Sequence, residues 1–185
     1  MKKKTKEQNL NIVKILLPLL MAAFFGLSNA YAQRAPIDVN LIIDGSSSFS
    51  GVKDEVASWV SGRLDQILVD GDKLTVWAAS SPSKVIYSGA DKEAAKKSLK
   101  DLSPSGNSAD FSGALREAAS KQSSSYSYTL LISASPAALT SVLSGPQANL
   151  LKFSRVEEFN SWRALVVGLN IDTKVKKAST AFFAK

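Results

Sequence analysis

Three stretches of this chain are apolar almost without interruption and are short. They are Leu41-Ile42-Ile43 at the end of Ile37–Ile43, Leu74-Thr75-Val76-Trp77-Ala78-Ala79, and Tyr128-Thr129-Leu130-Leu131-Ile132. A strand with one wet face alternates, whereas a strand covered on both faces does not need to. Helical stretches separate the three runs, so the pattern predicts an α/β fold: a mostly parallel central sheet with helices on both faces.

Between these runs, Val52, Val56, Trp59, Val60, Leu64, Ile67 and Leu68 recur at spacings of three and four, which predicts one helix from about Val52 to Leu68. Asp70-Gly71-Asp72 reads as a turn. Lys84-Val85-Ile86-Tyr87 reads as an antiparallel edge strand, hairpin-linked to the second run through Ser80 to Ser83. Asp91 to Leu102 has an exposed helix's composition, with Asp91 as cap and Lys92, Lys96, Lys97 and Lys100 on a solvated face. Asp110 to Lys121 is a second helix, with Phe111, Ala114, Leu115 and Ala118 on its apolar side. Ala137 to Phe153 reads as a helix broken at Gly145-Pro146. Trp162 to Gly168 is a last strand, and Thr173 to Phe183 a terminal helix. Trp59 and Trp77 are expected in the core, and Trp162, at a strand start, partly exposed.

The N-terminus predicts export. Lys2, Lys3, Lys4, Lys6 and Lys14 precede a 13-residue apolar run, Ile15 to Leu27, and the segment ends Ala30-Tyr31-Ala32. That is the order of a removable signal peptide, and the run is shorter than the ~20 residues of a membrane span. Residues 1–32 are thus expected to be removed, leaving 33–185 as one periplasmic or secreted domain with no transmembrane segment. The removed segment holds five lysines and one glutamate, so the chain's 23 basic and 16 acidic residues fall to 18 and 15, a net of +3. No nucleic-acid partner follows from that charge.

There is no histidine and no cysteine. Ser-His-Asp and Cys-His catalysis are excluded, as are disulfides. A binding role is expected rather than an enzymatic one. A histidine-free hydrolase would need a Ser–Lys pair, for which Lys53 is close in sequence to Ser46 and Ser48.

The first apolar strand runs into Asp44-Gly45-Ser46-Ser47-Ser48. Alternation along the loop lets Asp44, Ser46 and Ser48 converge on one point, and hard oxygen ligands suit Mg²⁺ or another divalent cation. Leu41 to Ser48 resembles the metal-ion-dependent adhesion site of von Willebrand factor A domains. Leu68 to Val76, Leu102 to Leu115 and Leu130 to Ser135 resemble further segments of that family, in the same order. The resemblance covers essentially all of residues 33–185 and implies a three-layer, Rossmann-like sheet. It also implies a protein partner bound on the top face, whose Asp or Glu would complete a Mg²⁺ site on Ser46, Ser48 and, through water, Asp44.

Two positions depart from the family pattern. Ala109 stands where the second loop's threonine falls, and Ala134 where the third loop's aspartate falls. Ser108, Asp110 and Ser133 are the candidate replacements, with Ser135 a further oxygen nearby. Asp110 has a competing role as a helix cap. Without a metal, Asp44 and the serines would instead hydrogen-bond backbone amides. Ser47, Phe49, Asn107 and Ser135 are the expected partner contacts. The rival role is assembly through a surface away from the top face.

Overall fold

A computed structural model of the chain describes residues 35–124, 127–144 and 153–168. The expected signal peptide and the expected terminal helix lie outside the described residues.

The first strand, β1 (Asp38–Asp44), is buried along its whole length. It is followed by a 3₁₀ turn, Ser47–Gly51, and then by α1 (Lys53–Ser61) and α2 (Leu64–Ile67). The single helix expected over Val52 to Leu68 is therefore two, parted at Gly62-Arg63. Leu64 and Ile67 stay buried across the break, which is why the apolar stripe reads through it. Next come β2 (Lys73–Ala79), β3 (Lys84–Gly89), α3 (Lys92–Lys100) and α4 (Phe111–Ser120). The described chain ends with β4 (Ser127–Ser133), α5 (Pro136–Ser144), β5 (Phe153–Glu158) and β6 (Arg163–Gly168). The stretch expected as a broken helix over Ala137 to Phe153 gives α5 and the start of β5.

Among the described residues six strands form one sheet in the order β3-β2-β1-β4-β6-β5. β1 pairs in parallel with β2 on one side and β4 on the other. β3 is the expected antiparallel edge strand beside β2. On the far side β6 runs antiparallel to β4, and β5 antiparallel to β6. Four strands thus share one direction. The stretch after Gly168 does not leave a carboxyl end of the parallel strands, as a wholly parallel far side would require. Instead Ser133 pairs with Arg163, so the β5–β6 turn stands at that end.

Side-chain alternation sorts the core into two layers. Val39, Leu41 and Ile43 of β1 pack with Val56 and Val60 of α1, Leu64 and Ile67 of α2, and Ala95 and Leu99 of α3. Ile42 faces the other way, with Trp77, with Phe111, Ala114, Leu115 and Ala118 of α4, and with Leu139 and Val142 of α5. Helices cover both faces, as the unbroken apolar runs require.

Local chemistry sets the connections. Gly71 takes φ +91 in the turn before β2, a region costly for residues with a Cβ. Asp72 there accepts from the Ile37 and Val69 amides, tying the chain's entry to the turn. Asp91 caps α3 by accepting from the Glu93 and Ala94 amides. Lys92 and Lys96 reach across to Asp65 of α2. The hydrogen bond from Lys92, and then the charge of Lys96, hold the Asp65 carboxyl below its ordinary value.

Candidate functional site

Asp44 is the last residue of the central strand and is only 1% exposed. A carboxylate removed from water must be met by donors. Its Oδ1 accepts from the Ser46 amide at 2.8 Å and the Ser46 hydroxyl at 2.5 Å. Its Oδ2 accepts from the Ser133 hydroxyl at 2.5 Å, at the end of the neighbouring strand β4. Ser133 Oγ in turn accepts from the Ser135 amide at 2.9 Å, and Ser135 Oγ from the Ala138 amide, in the first turn of α5, at 3.4 Å.

Ser46 and Ser48 hold their hydroxyl oxygens 2.8 Å apart. A hydroxyl has one proton, and that of Ser46 is committed to Asp44, so Ser48 is the donor to Ser46. The protons therefore point inward in a chain, Ser48 to Ser46 to Asp44.

Among the described residues, the hydrogen bonds that hold the second loop to the first join backbone groups. Ser46 and Gly106 form a parallel bridge. The Ser105 and Gly106 amides donate to the Gly45 carbonyl at 3.1 and 2.9 Å, and the Ser47 amide donates to the Gly106 carbonyl at 2.8 Å. Gly45 also donates to the Ala79 carbonyl at the end of β2. A Cβ built on Gly45 would lie 2.9 Å from that oxygen. Gly45→Ala is expected to destabilise the fold by about 2 kcal/mol, because backbone on both sides must shift. Urea unfolding measures this, and an unchanged midpoint would mean that the loops are not seated as described.

The sequence-derived candidates separate on this frame. Asp44, Ser46, Ser48, Ser133 and Ser135 come together. Ser47, Ser48, Asn107 and Ser108 are exposed on the same rim. Among the described residues Ser108 makes no hydrogen bond to Asp44, Ser46 or Ser48. Asp110 caps α4, accepting from the Gly113 amide at 2.8 Å. Ala109 packs partly into the α4 side of the core and Ala134 into the α1 side. Phe49 is not a partner contact: it is 0% exposed, because the 3₁₀ turn curls the chain back and sends the ring under the loop. Lys53 donates to the Lys100 carbonyl and pairs with Asp54, so its amine is engaged away from the serines.

Sequence reasoning missed the wall opposite the second loop. A cleft of about 440 Å³ opens beside Gly45, lined among others by Ser80, Pro82, Lys84, Ser105 and Asn107. The serine-rich turns were the available signal, but they read first as connections.

The central strands, their order, and an Asp-x-Ser-x-Ser loop at the carboxyl end of β1 now stand together. That is the arrangement which the resemblance to von Willebrand factor A domains implies. No family model matches the chain, and no curated protein matches it. Among solved structures it is similar to two crystal structures of the type V pili tip protein Mfa5 from Porphyromonas gingivalis. One comprises three N-terminal domains, at 17% identity and TM-score 0.42 over 52% of this chain and 19% of that one. The other is the vWF domain, at 16% identity and TM-score 0.42 over 53% of this chain and 37% of that one. The chain thus spans well under half the length of either.

A von Willebrand factor A-like loop raises the question of a metal, and the residues present do not fit one held tightly. Mg²⁺ needs six oxygens in a near-octahedral array. Here one carboxylate is available, and both its oxygens already accept hydrogen bonds. Ala109 and Ala134 offer methyl groups. Among the described residues no group of three or more His, Cys, Asp or Glu is placed to hold a metal ion.

Proposed function

We propose that this chain is an exported, non-catalytic protein-binding domain whose recognition face is the carboxyl end of its central strands. One observation carries this reading. Three loops are pinned to one another by hydrogen bonds, and the first two present Ser47, Ser48, Asn107 and Ser108 outward, the last two of these also lining the cleft beside Gly45. Rigid support beneath an exposed polar rim lowers the ordering cost of binding. The chain has no histidine, and Lys53 is engaged with the Lys100 carbonyl and Asp54, so neither supplies a base to the serines. Export rests on the N-terminal sequence pattern, and no helix among the described residues is long and apolar enough to cross a membrane.

A second reading, assembly through another surface, is favoured by β3. Among the described residues it ends the sheet with no strand on its outer edge, and Val85 on it is 43% exposed. An open edge is a template for a further strand. Crosslinking in the envelope of the producing cell, followed by recovery of the protein, separates the two. Ser47→Arg with Asn107→Arg is expected to abolish the crosslinked partner at unchanged thermal stability, and Val85→Arg to leave it. The reverse pattern would move the contact to the sheet edge and sink the first reading.

A further inference from the structure

We infer that the Asp44–Ser48 loop is a metal-free lock: Ser133 closes it by hydrogen bonding, so the top face is assembled without a divalent cation. Three features carry this. First, both oxygens of the buried Asp44 carboxylate are hydrogen-bonded. Its two oxygens receive three donors, two of them hydroxyls at 2.5 Å, and Asp44, Ser46 and Ser133 are 1%, 4% and 0% exposed. Short hydrogen bonds to a carboxylate are the strong class.

Second, the hydroxyls are already engaged in holding the loop. Ser46 gives its proton to Asp44 and one lone pair to Ser48, which leaves its oxygen a single lone pair for any further contact. Third, one negative charge is little return for stripping water from Mg²⁺, which dehydrates reluctantly. Ser133 supplies the link that joins the first loop to the third. The Ser135 amide and the start of α5 continue it. The lock closes whatever the face binds, so its failure and that of the binding role are separable.

Thermal unfolding of the purified protein against MgCl₂ and MnCl₂, with EDTA as reference, tests this. A site half-filled at about 0.1 mM would raise Tm by about 5–10 °C at about 10 mM cation. No saturable shift is expected for the wild type. Ser133→Ala is expected to lower Tm, and neither cation to restore it. Ala134→Asp with Ala109→Thr restores the two side chains of the resembled family's pattern, and is expected to gain a saturable Mn²⁺ shift that Ser46→Ala then removes. A saturable wild-type shift abolished by Ser46→Ala would overturn the inference. So would an unchanged Tm in Ser133→Ala. Should the double variant fail to fold, the wild-type and Ser133→Ala results decide alone.

Discussion

Trp162→Ala is expected to lower the unfolding free energy by about 4 kcal/mol, the range for truncating a large aromatic in a core. For a domain of this size that is a Tm lower by about 8–16 °C. The expected partial exposure of Trp162 is overturned by the structure: its ring is 0% exposed. It stacks on Phe159 with centroids 3.8 Å apart and an interplanar angle of 11°, and meets the edge of Trp59 at 5.1 Å. Its indole N–H donates to Glu55 at 2.8 Å. The Phe159 amide donates to the Trp162 carbonyl, closing the β5–β6 turn. One ring therefore fastens the hairpin to α1, while the Arg63 guanidinium lies 4.3 Å from the centre of the Trp59 ring. Trp162→Phe keeps an aromatic surface in the stack and loses the hydrogen bond, so about 1–2 kcal/mol is expected. Urea unfolding of both variants measures the difference, and a cost below about 1 kcal/mol for the alanine variant would show that the hairpin is not anchored through this ring.

Asp44→Ala is expected to cost about 3 kcal/mol, or about 6–12 °C in Tm. Removing the acceptor strands two buried hydroxyl donors and one amide. It also relieves the cost of burying a charge, which keeps the loss below the sum of three charged hydrogen bonds. Asp44→Asn tests the mechanism more finely. Its oxygen can still accept from Ser46, but its amide meets Ser133 donor to donor, so an intermediate loss of about 1–2 kcal/mol is expected. If alanine were tolerated better than asparagine, the network would not be the stabilising element.

Much of the fold was legible because burial on two faces leaves a mark in sequence. β1, β2 and β4 announce themselves as apolar runs, and Asp91 and Asp110 as caps ahead of helical spacing. Direction leaves no such mark. Arg163 to Gly168 reads as the same apolar strand whether it runs with β4 or against it, and only the pairing of Ser133 with Arg163 decides. β5 was hidden for the opposite reason. Phe153-Ser154-Arg155-Val156-Glu157-Glu158 mixes charges with apolar residues, as a strand at the end of a sheet can, and that resembles neither template strongly.

At the site, residue types were legible and orientations were not. Asp44, Ser46, Ser48, Ser133 and Ser135 do converge. That the hydroxyl protons face the carboxylate depends on its burial, which is a property of the finished sheet. Phe49 was misplaced because an extended loop alternates, whereas a 3₁₀ turn does not.

The reversed direction of β6 has a geometric consequence. Val167 pairs with Thr129 near the start of β4, and Asp38 pairs with Ser127 at that same start. The chain enters the sheet at Asp38 and finishes β6 at Gly168 on one pole, while Asp44 and Ser133 stand at the other. Entry at Asp38 and exit at Gly168 thus share the pole opposite Asp44 and Ser133, so the exposed serines and Asn107 stand at the far end of the sheet from both.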